Sequence, residues 1–178
     1  MEYDLTLAKK AYQLAERWNC ARETEASKLD FTESDLKDFS SNQISSPKIS
    51  NLDRRLADIS VVVFLERLQS YPPLPSHLTI HLGDLYKFKN TPNAEIRFRF
   101  YQIALSDPSS TAAKTLAIDA AKWVIGDDET GVVKGRMKFC RPIFRGVCKM
   151  DKDLAVTTWE KSKTGFHPVA RRLIEKVR

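Results

Sequence analysis

Apolar residues recur along this chain every three or four positions, the period of a helix that buries one face. Ala8, Ala11, Ala15 and Trp18, with Tyr12 and Leu14 beside them, predict an amphipathic helix over about residues 4–21. Thr32 and Asp35 fit a capping box that opens a short helix running to about Phe39. Leu52, Leu56, Ile59 and Val63 form the next stripe, widened by Phe64 and Leu68 toward Gln69. The run Tyr71-Pro72-Pro73-Leu74-Pro75 stops it. Ser76 can cap a helix whose inner face is Leu78, Leu82, Leu85 and Tyr86, and Asn90-Thr91-Pro92 is a turn. Ile96, Phe100 and Ile103 are helical in spacing. Ile96, Phe98 and Phe100 also alternate like a strand, but every neighbouring segment is a helix, so a helix is expected.

The second half continues the pattern. Ser109 or Ser110 opens a helix with Ala113, Ala117, Ala120 and Val124 on one side, and Gly126 to Gly131 reads as an exposed acidic loop. Pro142 suits the first turn of a helix running to about Lys149. Asp151 caps one that carries Ala155, Thr158 and Trp159. Pro168 starts the last, with Val169, Leu173 and Val177 turned inward. The fold class expected is all-α, with about nine helices, short turns and no convincing strand pair. Consecutive antiparallel helices of this kind stack into a bundle or an α-solenoid, and no repeat consensus chooses between them.

A chain of 178 residues is long enough for a sizeable core without a disulfide or metal staple. Its longest nearly apolar run, Ile59 to Leu65, is far short of the about 20 residues of a spanning helix. Met1 is followed by Glu2 and Asp4, not by a basic start and an apolar core, so no signal peptide is read. Cys20, Cys140 and Cys148 are odd in number and scattered, which fits reduced thiols in the cytoplasm or nucleus. Charge is uneven. Residues 131–178 hold 13 basic and 4 acidic side chains, net +9, against net −3 before them. A lysine-coated helical surface accounts for this, and so does an anionic partner of the last quarter.

Candidate chemistry is sparse. His77 and His81 have the four-residue spacing of a zinc-binding pair, but Leu78 stands where the general-base glutamate belongs. Phe100 stands where a third ligand would lie, so no metal site is expected in this chain. Cys140 lies in a basic stretch that could lower its pKa, yet no histidine is placed beside it by sequence, and a small half-buried thiol is the simpler reading. His167 precedes Pro168 and shapes a helix entry. There is no glycine-rich phosphate loop. What remains is Gly135–Phe144, GRMKFCRPIF, in which Arg136 and Lys138 are two apart. Gly135 and Pro142 favour non-helical chain, and in extended backbone the two cations project from one face as a clamp for a carboxylate or phosphate. A solvated basic turn is the competing reading.

This stretch resembles the GRMKFxRP segment of the C-terminal domain of leukotriene A-4 hydrolase and its aminopeptidase relatives. Tyr3–Leu7 (YDLTL) with Arg17-Trp18, Asp35–Ser41 (DLKDFSS), Asn93–Arg99 (NAEIRFR) and His167–Val169 (HPV) are similar to further landmarks of that domain, in order. The resemblance implies an armadillo-like αα-superhelix that packs against a zinc aminopeptidase domain and walls one side of its cleft. It also implies that Arg136 and Lys138 bind the substrate carboxylate, and that the zinc and catalytic glutamate belong to a preceding domain absent from this chain. Residues 1–178 are then expected to be a single helical C-terminal domain, detached or separately encoded, with no cofactor of its own. Two departures stand out. About seventeen residues, Ile44 to Ser60, intervene where the family runs almost directly into the next helix, and Gly126 to Gly131 is longer than expected.

Three readings follow. The first is a substrate-recognition module of a zinc aminopeptidase or epoxide hydrolase, meeting a peptide with a free carboxylate. The second is a free-standing helical-repeat adaptor that binds an acidic protein through the basic C-terminal quarter. A nucleic-acid binder is disfavoured, for want of interleaved stacking aromatics or a known motif. A membrane partner is not expected.

Overall fold

A computed structural model describes residues 6–25, 28–37, 39 and 51–176. The all-α expectation is met: the described residues form nine α-helices and no strand. They are α1 (Thr6–Cys20), α2 (Ser34–Lys37), α3 (Asn51–Gln69), α4 (Ser76–Leu85), α5 (Ala94–Ala104), α6 (Thr111–Ile125), α7 (Met137–Met150), α8 (Lys152–Ser162) and α9 (Pro168–Glu175). No helix among the described residues is long and apolar enough to cross a membrane. The chain divides into two compact units, one ending at Ile103 and one beginning at Ala104.

In the first unit α1 packs against α3, burying Ala11, Leu14, Ala15 and Trp18 as its spacing requires. The Trp18 ring stacks on Phe31 at 4.0 Å and meets the edge of Tyr86 at 5.9 Å. From Tyr86 the aromatic contacts run on to Phe64, Phe88 and Phe100. Arg17 binds the Asp35 carboxylate at 3.0 Å, and Asp35 also accepts the Thr32 N–H at 2.7 Å, one arm of the expected capping box. Gly83 is required on α4, since a Cβ there would sit 2.5 Å from the Phe100 ring.

Phe64 and Leu68 are inside as expected, but the rest of the buried side of α3 is not the predicted stripe. Ser60, Val61, Phe64, Leu65 and Leu68 face the core, while Leu56 and Ile59 are 38 and 57 % exposed. From Ile59 to Leu65 every residue but Ser60 is apolar, so the neighbours of α3 decide which stripe is covered there, and the Tyr86 ring takes Phe64 edge-on at 6.3 Å. α3 begins at Asn51 and so absorbs the end of the intervening segment Ile44 to Ser60. There Asp58 accepts a hydrogen bond from the Asn93 amide at 3.0 Å. Residues 44–50 lie outside those described, as do Leu52's side chain and Val177. The choice between helix and strand at 94–104 resolves as helix, with Ile96, Phe98, Phe100, Tyr101 and Ile103 all buried.

In the second unit Ser110 caps α6 by accepting the Ala113 N–H, and the small side chains Ala113, Ala117, Ala120 and Ala121 let its neighbours approach. α7 packs on α6, α8 and α9. Asp151 caps α8 through the Leu154 N–H at 2.8 Å. Phe144 meets Trp159 and Phe166 edge-on, and Trp159 and Phe166 are tilted against each other, with the three centroids 5.5–6.0 Å apart. His167 caps α9, its Nδ1 accepting the Val169 N–H at 3.3 Å, with Pro168 at the first helical position. α9 also turns a different face from the one expected. Ala170 and Ile174 are buried, whereas Val169 is 52 % exposed and Leu173 only half-buried.

Candidate functional site

The segment that carries Arg136 is held from both ends. α6 stops at Gly126, whose φ of +74° is open to glycine, and the N–H groups of Gly126 and Asp127 close on the carbonyls of Trp123 (3.2 Å) and Lys122 (2.9 Å). Asp128 then accepts the Thr130 hydroxyl at 2.5 Å, and the Gly131 N–H closes on the Asp128 carbonyl at 3.2 Å. Asp127 meets the Lys161 ammonium of α8 at 2.7 Å, and that hydrogen bond and charge hold its carboxyl below the usual carboxylate range. The Gly126–Gly131 segment is therefore a closed turn anchored to α6 and α8.

Arg136 itself is extended, with φ −64° and ψ 128°, and is the cap residue of α7. This corrects the local expectation. Extended chain ends at Arg136, and Lys138 is already in the helix, so alternation along a strand is not what relates the two cations. Pro142 stands well inside α7 instead of starting it. Proline lacks the N–H that residue 142 would give the Lys138 carbonyl, but burial of Phe139 and Cys140 favours the preceding turn. The N–H groups of Phe139 and Cys140 close on the Arg136 carbonyl at 2.8 and 3.0 Å.

Two cations thus sit at the positive end of a helix dipole. Arg136 and Lys138 are both exposed, and the Arg136 side chain makes no capping bond. The opening turn of a helix presents N–H groups without intrahelical acceptors, an arrangement that attracts anions. Behind it lie two aromatics in edge-on contact. The Lys138 ammonium lies 5.7 Å from the Phe139 ring centre, Phe139 meets Trp123 edge-on at 6.0 Å, and the Lys134 ammonium lies 5.8 Å from the Trp123 ring. Lys134 is also bonded to the Thr130 hydroxyl (3.1 Å) and the Val132 carbonyl (2.7 Å). Such a site can bind and orient an anion. It offers neither nucleophile nor general base.

The other candidates are placed apart. His77 bonds the Thr24 carbonyl at 3.0 Å, and His81 is half-buried with its ring 5.8 Å from that of Trp18. Among the described residues no three histidine, cysteine, aspartate or glutamate side chains gather as metal ligands, so this pair does not fit a zinc ion. Cys140 is buried, its thiol against the Gly135 carbonyl at 3.8 Å, and burial pushes its pKa up, away from a reactive thiolate.

Residues 58–177 match the family model described as leukotriene A4 hydrolase, C-terminal. The chain belongs to this family. Leucine aminopeptidase 2 of Neurospora crassa is 34 % identical over 178 residues, which cover 98 % of this chain and 21 % of that protein. Leucine aminopeptidase 2 of Pyricularia oryzae is also 34 % identical, over 98 % of this chain and 23 % of its own length. The solved structure of native yeast leukotriene A4 hydrolase superimposes with a TM-score of 0.72 at 25 % identity, covering 99 % of this chain and 26 % of that one. The chain therefore spans about a fifth to a quarter of the length of these relatives.

In this member of the leukotriene A4 hydrolase C-terminal family, the anchors of the Arg136 segment are what sequence reasoning missed. Asp127 and Lys161 lie 34 positions apart, and Trp123 reaches Phe139 across the whole turn. Only the Gly126-x-x-x-x-Gly131 spacing after a helix hinted at a closed turn.

Proposed function

We propose that this chain is the substrate-recognition and cleft-wall module of a zinc metalloaminopeptidase or epoxide hydrolase of the leukotriene A4 hydrolase type. In this reading Arg136 and Lys138 bind the carboxylate of a peptide substrate. The observation that carries it is the opening of α7, where an arginine and a lysine flank helix N–H groups that no side chain of the cap residue occupies. Arg136 would orient the carboxylate through its planar fork, and Lys138 would add attraction with looser geometry. The described residues gather no metal ligands, so the reading assigns zinc and the acid–base chemistry to an accompanying catalytic domain. That domain would be this chain's principal partner.

Anchoring the far end of a substrate holds its scissile bond in place, so losing the anchor should lower turnover as well as binding. A charge-assisted hydrogen bond contributes about 1.5–3 kcal/mol. Arg136→Ala should therefore lower kcat/KM by roughly tenfold or more, and Lys138→Ala by less. The test reconstitutes the chain with a zinc aminopeptidase catalytic domain and compares matched tripeptides with free-acid and amide ends. Losses confined to the free acid support the clamp. Equal losses on both substrates would mean that the pair shapes the turn without reading a carboxylate.

A further inference from the structure

Helix α7 carries four cations and no acidic residue. At about 100° per residue, Lys138, Arg141, Arg145 and Lys149 fall within an arc of roughly 80°, and all four are exposed. Phe139, Cys140, Ile143, Phe144 and Val147 fill the opposite side and are buried. The apolar side accounts for the packing of α7. It does not account for the single sign of charge on the other side. A solubilising face mixes signs, and neighbours three and four apart then attract. Here they are cation beside cation, which costs helix stability.

Three acids that flank α7 in sequence are held by other groups. Asp127 is held by Lys161, Glu160 by Lys163, and Asp151 accepts the Leu154 N–H. Among the described residues, Arg141, Arg145 and Lys149 appear in no ion pair.

We propose that this outer face of α7 is a docking surface for an acidic helical segment of a separate protein, held through Arg141, Arg145 and Lys149. Successive cations rise about 6 Å, the rise between carboxylates four residues apart on a helix laid alongside. Arginine forks take carboxylates in pairs of hydrogen bonds. A single-stranded nucleic acid would need exposed rings on which to stack. Phe139, Phe144, Trp159 and Phe166, the aromatic residues after position 130, are all buried. The surface is defined without Lys138, so it stands whether or not Arg136 and Lys138 read a substrate carboxylate.

The test uses the full chain and a labelled helical peptide of repeated Glu-Ala-Ala-Ala. A peptide of the same composition with its glutamates scattered around the helix, and an oligouridylate, serve as competitors. Fluorescence anisotropy should show tighter binding of the ordered peptide, weakening severalfold as salt rises from about 50 to 300 mM. The triple change Arg141→Glu, Arg145→Glu and Lys149→Glu should lower affinity at least about tenfold. The corresponding triple glutamine variant should show a smaller loss, and it decides the matter if circular dichroism finds the first variant unfolded. Three results would overturn the proposal: variants that bind like the parent, equal binding of the two peptides, or an oligouridylate that displaces the ordered peptide at the same ionic strength.

Discussion

The Lys134 N–H donates to the Val124 carbonyl at 2.9 Å, which ties the segment just before Arg136 to the last turn of α6. The position of the candidate clamp is in this way a consequence of how α6 ends. That end rests on Gly126, and its conformation is testable.

Gly126→Ala should destabilise the protein by about 2 kcal/mol or more. A left-handed φ costs an L residue roughly 1–2 kcal/mol, and the new Cβ would lie 2.7 Å from the Val132 carbonyl carbon and 2.8 Å from the Val133 nitrogen. Gly131→Ala is the control, since its φ of +60° has open space around it. Its cost should be nearer about 1 kcal/mol. Thermal denaturation of both variants gives the ranking, and a smaller loss for Gly126 than for Gly131 would count against the pinned turn.

The two sides of α3 should differ sharply in their sensitivity to substitution. Leu65→Ala empties a fully buried position and should cost about 2–5 kcal/mol. Ile59→Ser, on the exposed side, should change stability by no more than about 0.5 kcal/mol. Urea unfolding distinguishes this from the stripe that periodicity alone suggests, for which the Ile59 change would be the damaging one.

Gly83→Ala should destabilise by about 1–3 kcal/mol through overpacking, despite the better helix propensity of alanine, because its Cβ would meet the Phe100 ring at 2.5 Å. Phe100→Leu alone should also be destabilising. The double variant should lose less than the two single losses added together, as expected for residues in contact. Strict additivity in denaturant titrations would show that the contact is relieved elsewhere.

Burial, with a smaller effect from Asp35, pushes the Tyr86 phenol well above its ordinary pKa. Its neutral form is favoured by folding, so the associated stability is fully present below the phenol's unfolded pKa of about 10. It declines as pH rises beyond that value, because the unfolded chain ionises first. Melting curves between neutral and strongly alkaline pH should show this loss, and Tyr86→Phe should reduce its slope. An unchanged slope in the variant would place the alkaline loss on other groups.

Much of the second unit was legible residue by residue. Ser110, Asp151 and His167 act as caps because a cap depends on N–H groups two or three residues away and on little else. The stops at Pro72-Pro73 and Gly126 are equally local. The start of α7 was misplaced because the local rule put Pro142 in the first turn, whereas Phe139 packing on Trp123 extends the helix back to Met137. At the candidate site, the residue types Arg136 and Lys138 were legible, but the helix opening that relates them was not.

The amino-acid sequence by itself determined that this protein is all-α, where most helices begin and end, and that its cations gather after residue 130. These follow from periodicity, caps and composition, which are short-range properties. Tertiary structure decided which apolar stripe is inside where two compete. In α3, Val61 and Leu65 join the expected Phe64 and Leu68 inside while Leu56 and Ile59 stay out, and in α9 Ala170 and Ile174 prevail over Val169. It also decided where the Arg136 turn is held, through Asp127 with Lys161 and Trp123 with Phe139. The physical reason is that the free energy of burial has no direction along the chain. It goes to whichever stripe finds a neighbour of matching shape, and that neighbour lies tens of residues away.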